Sequence, residues 1–318
     1  MKSSVTLGGM LLLAGVAGSA HAQNYPARPV RMMVPYAPGG GVDIMGRIVA
    51  AKLSEKFGVQ FVVDNRGGGA SVIGTDIVAK ASPDGYTLLM ANPSLAANPA
   101  MMEKLPYDAV RSFTPVIAWA ESYNVLVVHP SMPVKTTKEL VALAKSKPGQ
   151  LNYASAGDGS AIYLAMALFE NVTGINLVHI PYKGAGPAIT DVLGGQVSIM
   201  FAATPPVVQH ASAGRLRALG VSSAKRLDVL PSVPTIAESG FPQYVLSNWY
   251  AVMAPAKTPD AIVNRLNAEL NTMLQSADVK ERIAALGAEP GGGTPAQFTE
   301  RLRKEIDIWA KVLKKPKA

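Results

Sequence analysis

Cysteine is absent from all 318 residues. That excludes disulfides, thiolate metal sites and a cysteine nucleophile, and a chain of this length buries enough core to do without bridges. Histidine is scarce: beyond His21 there are only His129, His179 and His210, far apart and without metal-ligand spacing. No metal and no cofactor are expected. No G-x-G-x-x-G follows the first expected strand, no Walker pattern with Gly-Lys-Ser/Thr occurs, and no G-x-S-x-G nucleophile elbow is present. Arg66-Gly67-Gly68-Gly69 reads as a turn into a helix at Val72. Beyond the N-terminus no apolar run is long enough to span a bilayer, which takes about 20 residues.

The first 22 residues read as a secretory signal. Lys2 gives the positive start, Val5 to Ala17 the apolar stretch, and Ala20-His21-Ala22 the small-x-small cleavage pattern. Cleavage near Ala22 would leave a periplasmic chain beginning at Gln23. The formal charge of +8 does not mark a nucleic-acid surface, because its densest run, Lys311 to Lys317, lies at the C-terminus without interleaved aromatics.

Short β-branched runs alternate with helical patterns, which argues for βαβ units and parallel sheets, an α/β fold. Strands are expected at 30–34, 61–63, 86–91, 125–128, 151–154, 177–180, 197–201, 216–221 and 250–253. Helices are expected at 43–57, 72–81, 138–146, 161–172 and 187–193, between the strands 197–201 and 216–221, and finally at 259–274, 279–286 and 295–312. No Gly-, Ser- or Pro-rich linker separates two halves, so two domains must be joined by ordered strands. Crossings near Ser122 to Val125 and Leu246 to Trp249 divide the mature chain into a discontinuous domain of 23–123 with 248–318 and a second of 124–247.

Three loops share one design. Tyr36-Ala37-Pro38-Gly39-Gly40-Gly41-Val42-Asp43 joins a strand to a helix, with glycines that let a ligand approach the backbone. Helix-start N–H groups and the helix dipole favour an anion there, and Asp43 is expected as the N-cap. Ser155-Ala156-Gly157-Asp158-Gly159-Ser160 repeats the design, with Ser160 as cap and Tyr163 on the helix that follows. Tyr182-Lys183-Gly184-Ala185-Gly186, just before Pro187, is the third. Loops at the carboxyl ends of parallel strands are where α/β folds bind ligands. Candidate ligand contacts are therefore Tyr36, Ala37, Gly39, Gly40, Gly41, Asp43, Ser155, Ala156, Gly157, Asp158, Gly159, Ser160, Tyr163, Tyr182, Lys183 and Gly184. Trp249 is a further candidate wall. Asp158, if it faces the site, would repel a second carboxylate.

Along nearly the whole mature chain these residues resemble the Bug receptor family, the substrate-binding proteins of tripartite tricarboxylate transporters. The likeness runs from Tyr25-Pro26 through Pro38-Gly39-Gly40 with Asp43 and Arg47, Pro83-Asp84-Gly85-Tyr86, Tyr153 to Gly157 with Gly159-Ser160, Val178 to Gly184 and Pro231 to Thr235, to Trp249 with Ala254-Pro255. The resemblance implies a two-domain Venus-flytrap fold resembling type II periplasmic binding proteins. It also implies a small carboxylate ligand, held by backbone amides of the loops Tyr36 to Asp43 and Ala156 to Ser160 with bridging water. Tyr163 stands where family members often carry histidine. The implied partners are the carboxylate solute and the membrane permease subunits, with the receptor itself a monomer.

Two other classes fit parts of the same sequence. A ligand sensor would present the same closed form to a membrane kinase. An α/β hydrolase would need a nucleophile–base arrangement, and none is evident in the sequence.

Overall fold

The computed structural model describes residues 25–313. The expected signal peptide, 1–22, lies outside them, as does the end of the basic C-terminal run. Among the described residues no helix is long and apolar enough to cross a membrane.

The chain opens with β1 (Val30–Val34), α1 (Gly41–Phe57), β2 (Phe61–Asn65), α2 (Val72–Ala79) and β3 (Thr87–Ala91). β1 runs parallel to both neighbours, with Val30 opposite Phe61 and Met32 opposite Leu88. The sequences Val30 to Val34 and Leu88 to Ala91 are nearly unbroken apolar runs, as expected of parallel strands covered on both faces by helices. α1 stops at Gly58, whose φ of 65° gives the left-handed C-cap.

Three elements depart from the sequence reading. α3 (Ser94–Met101) lies between Pro93 and an internal Pro99, residues that read as helix breakers. β4 (Phe113–Val128) is 16 residues long, where the sequence pattern begins only at Val125. Its register slips between Pro115 and Ile117 and between Ala118 and Ala120, and each slip breaks the alternation by which a strand is recognised. β10 (Ala288–Gly292) contains a proline and two glycines. It can still pair with β4 because Gly291 has no side chain to collide with the Ala118 carbonyl.

The middle of the chain builds a second parallel set. It contains α4 (Thr137–Ser146), β5 (Asn152–Ser155), α5 (Ala161–Thr173), β6 (Val178–Pro181), α6 (Ala185–Leu193), β7 (Ile199–Ala203), α7 (Thr204–Ser212) and β8 (Arg217–Val221). β5 lies parallel to β6 and β7. β9 (Ser247–Pro255) then runs antiparallel to both β3 and β4. The strand order is β2-β1-β3-β9-β4-β7-β5-β6, with β10 and β8 also on β4. Through Tyr123, β4 pairs with β9 and β10; from Asn124 it pairs with β7 and β8. The return path is similarly abrupt. Leu246 N–H bonds the Ser222 carbonyl, and Ser247 already pairs with Tyr123.

The C-terminal elements α8 (Asp260–Gln275), α9 (Ala277–Ala285) and α10 (Pro295–Leu313) attach mainly to the first set. Lys52 and Lys56 of α1 pair with Asp278 and Glu269, and Arg301 makes a two-pronged contact with Glu121 of β4. Trp249 seals α10 to the sheet. It is 1% exposed, meets Phe298 edge-on at 5.0 Å and donates its indole N–H to Glu305 at 2.6 Å. Truncating so large a buried side chain leaves a cavity. Trp249→Ala is expected to lower stability by about 3–5 kcal/mol, read as a reduced urea midpoint.

Candidate functional site

The three loops meet. The Ala37 N–H bonds the Lys183 carbonyl at 3.2 Å, and a side chain at Gly184 would strike Ala37 N at 2.8 Å. Gly186 lies so tightly on the Pro38 carbonyl that no side chain fits. Gly159, with φ of 75°, packs beneath Asn98 and Met101 of α3. The small residues in these loops therefore let two backbones touch.

Behind this contact is a cavity of about 30 Å3, room for about two waters. Helix starts dominate its wall: Gly40, Gly41 and Val42 of α1, Ser160, Ala161 and Ile162 of α5, Ala185 of α6, and Ala203, which caps α7. The first N–H groups of a helix have no intrahelical acceptor, and the helix dipole adds partial positive charge at the same end. Tyr36, Asn92, Ala156, Asn248 and Tyr250 complete the wall. Among the described residues no Lys, Arg, His, Asp or Glu lines it. Burial pushes the Tyr36 and Tyr250 phenols up, outweighing the hydrogen bonds that Tyr36 makes with Ser94 and Asn92 and Tyr250 makes with Ser122 and Asn248.

The residues expected from sequence divide into two groups. Tyr36, Gly40, Gly41, Ala156 and Ser160 are on the wall. The others frame it. Ala37, Lys183 and Gly184 form the loop-to-loop contact, with the Lys183 side chain exposed. The Gly39 N–H is taken by Asp43 Oδ2 at 3.0 Å. Asp43 is not the helix N-cap; Gly40 is. Asp43 stands three residues further on and reaches back, as an acidic residue in the first turn can. The Gly157 N–H is taken by Ser155 Oγ at 3.0 Å. Tyr182 turns to Asp191, 2.6 Å away. Trp249 is buried on the opposite face from Asn248 and Tyr250 and forms no wall.

Asp158 does not face the cavity. Its side chain is 75% exposed and lies 3.2 Å from His179 Nδ1, so the condition for repelling a second carboxylate is not met. His179 Nε2 is 2.6 Å from Ser155 Oγ. A serine–histidine–aspartate chain thus exists that the sequence spacing did not reveal. It is closed to a substrate: Ser155 is wholly buried, and the imidazole is packed 4.9 Å from both Tyr153 and Tyr163. Burial lowers the His179 pKa, with Asp158 opposing. Among the described residues no group of His, Asp or Glu could hold a metal ion.

Sequence reasoning missed Val42, Asn92, Ala161, Ile162, Ala185, Ala203, Asn248 and Tyr250. The helix-start residues are apolar and carry no side-chain signal. Asn248 offered one, as an amide in an otherwise apolar strand. A larger groove, about 600 Å3, lies between residues 245–247 and α10. It is away from all three loops and collects no helix start from them.

The Asp43 network makes the first loop sensitive to acid. Burial pushes its carboxyl up, but hydrogen bonds from Arg47, the Gly39 N–H and Asn65 outweigh this and hold it below the usual range. A carboxyl depressed in the folded state stabilises the fold above its unfolded pKa, near 3.9, and loses that contribution as pH falls through the folded value. Wild type should therefore exceed Asp43→Asn in urea midpoint above about pH 5, with the gap closing below about pH 4.

A family model described as "Tripartite tricarboxylate transporter family receptor" matches residues 45–317. The chain is 41% identical to Protein BugT of Bordetella pertussis over 310 residues, 97% of this chain and 95% of that protein. Its fold superposes on a Rhodopseudomonas palustris protein solved with adipate at TM-score 0.88 and 38% identity, covering 91% of this chain and 97% of that one. MatC from the same organism, solved with bound malate, superposes at TM-score 0.88 and 30% identity over 91% of this chain and 100% of its own.

Proposed function

Since the chain belongs to the tripartite tricarboxylate transporter receptor family, whose members are solute-binding proteins and not enzymes, we propose that it captures a small carboxylate-bearing solute in the periplasm. It then delivers that solute to membrane permease subunits. The observation that carries this reading is the convergence of four helix starts on a cavity with no charged side chain. An anion there is met by N–H groups and dipoles already aimed at it. The carboxylate is held by backbone amides of Gly40 and Gly41 on one side and of Ala161 and Ile162 on the other. Tyr36, Ala156 and Ser160 complete the contact. Ala37, Gly39, Asp43, Ser155, Gly157, Asp158, Gly159, Tyr163, Tyr182, Lys183 and Gly184 hold those loops in place. Relatives solved with adipate and malate are consistent with a small acid.

A cavity of about 30 Å3 does not admit such an acid without movement. The proposed lobes, 23–123 with 248–318 and 124–247, part at the loop contacts and close again on the solute. β4 and the segment 246–247 serve as the hinge.

Two variants test the site by calorimetry with succinate, malate and adipate. A side chain at Gly40 would meet Ala185 Cβ at 3.1 Å, in the path of both closure and carboxylate. Gly40→Val should weaken binding of whichever acid the wild type takes by about a hundredfold or more, a loss of about 2.7 kcal/mol. Unchanged binding would remove the loop from the site. Asp158→Asn, changed at a carboxylate that points outward, should leave the preference between these acids within about twofold, less than 0.5 kcal/mol. A marked gain for the acids of higher charge would place Asp158 in the cleft after all.

A further inference from the structure

The helix starts account for one end of a ligand. The rest of the wall is built by the crossing strands, and its chemistry differs. Ser122 of β4 faces Asn248 of β9, and Ala120 faces Tyr250; cross-strand partners share a face of the sheet. Two residues along β4, Asn124 lies on that same face and pairs with Ala203 of β7, itself on the cavity wall. Asn248 and Tyr250 are on the cavity wall; Ser122 and Asn124 lie behind it on the same strand face, and the four make a continuous neutral floor. All four are buried, none more than 4% exposed.

The floor is only partly bonded. The Tyr250 hydroxyl takes Ser122 Oγ at 3.1 Å and the Asn248 amide N–H at 3.0 Å. Asn248 Oδ1 and both side-chain polar atoms of Asn124 have no partner in the protein. Turning the Asn248 amide over exchanges which of its atoms is left and does not remove the deficit. Buried polar groups are almost always satisfied, and those left over beside a ligand cavity are the natural contacts of what enters it.

We infer that this floor recognises a neutral group on the solute that both donates and accepts hydrogen bonds, a hydroxyl or a primary amide. The inference rests on the carboxylate reading above. Asn124 presents an acceptor and two donors. An ammonium group only donates and a second carboxylate only accepts, so either leaves part of Asn124 unanswered. A hydroxyl or an amide answers both. The floor also carries no counter-charge, and a second ionised group is costly to bury without one. The solute class is therefore a small acid carrying a hydroxyl or carboxamide.

Calorimetry of the mature chain with matched acids tests this: propionate against lactate, butyrate against β-hydroxybutyrate, and succinate against malate and succinamate. A site built to bond a hydroxyl discriminates strongly against the analogue lacking it. At least one hydroxylated or amidated acid should bind at least about tenfold more tightly than its plain twin. Asn124→Leu, which removes the polar atoms and keeps the bulk, should bring that ratio to within about twofold. If Asn124→Leu does not fold by thermal melt, Asn248→Ala reads the same ratio. Twins that bind equally, or a ratio unmoved by either variant, overturn the inference and leave the carboxylate reading standing. No binding by any acid in the panel overturns both.

Discussion

The ladder of β4 is the constraint on which everything else depends. One strand carries hydrogen bonds along both edges, to β9 and β10 over its first part and to β7 and β8 over its second. Because a strand offers its backbone groups at fixed spacing, this fixes where the two sets of parallel strands join. The carboxyl ends of β1 and β5 then deliver their glycine loops to the same place. A flexible linker could connect the halves, but it could not bring Gly40 and Ser160 to the same small cavity. The absence of a linker composition in the sequence and the presence of the cavity are two consequences of the same strand.

The loops show why glycine recurs here. A side chain at Gly41 would collide with the Tyr250 hydroxyl, and one at Gly186 with the Pro38 carbonyl. The first closes α1 onto the strand floor; the second closes one loop onto another. In both cases the missing side chain permits contact within the protein. Only at Gly40 does the space freed lie both at the loop contact and on the cavity wall.

Much of the fold was legible because its elements obey local rules. β1 and β3 are apolar runs, α1 ends at a glycine, and α5 begins at a serine that bonds the Tyr163 N–H. What failed did so for identifiable reasons. α3 is framed and interrupted by proline, β10 is built from residues that seldom form strands, and β4 slips register twice. In the site, the loops were legible but the role of each residue was not. Asp43 reaches back from inside the helix instead of capping it. Asp158 turns outward to a histidine that is near only after folding. Trp249 and Asn248 are neighbours in sequence yet lie on opposite faces, and strand parity cannot be assigned without the register against β4.

A wall without charged side chains has a further consequence. Peptide dipoles do not titrate, and the two phenols beside them are held in their neutral form by burial. Acid or base that leaves the fold intact therefore leaves this wall electrically as it was. Mobile salt ions screen exposed charges well and buried dipoles poorly. The field at this wall is set by the backbone and stays the same across any change of acidity or salt that leaves the fold intact.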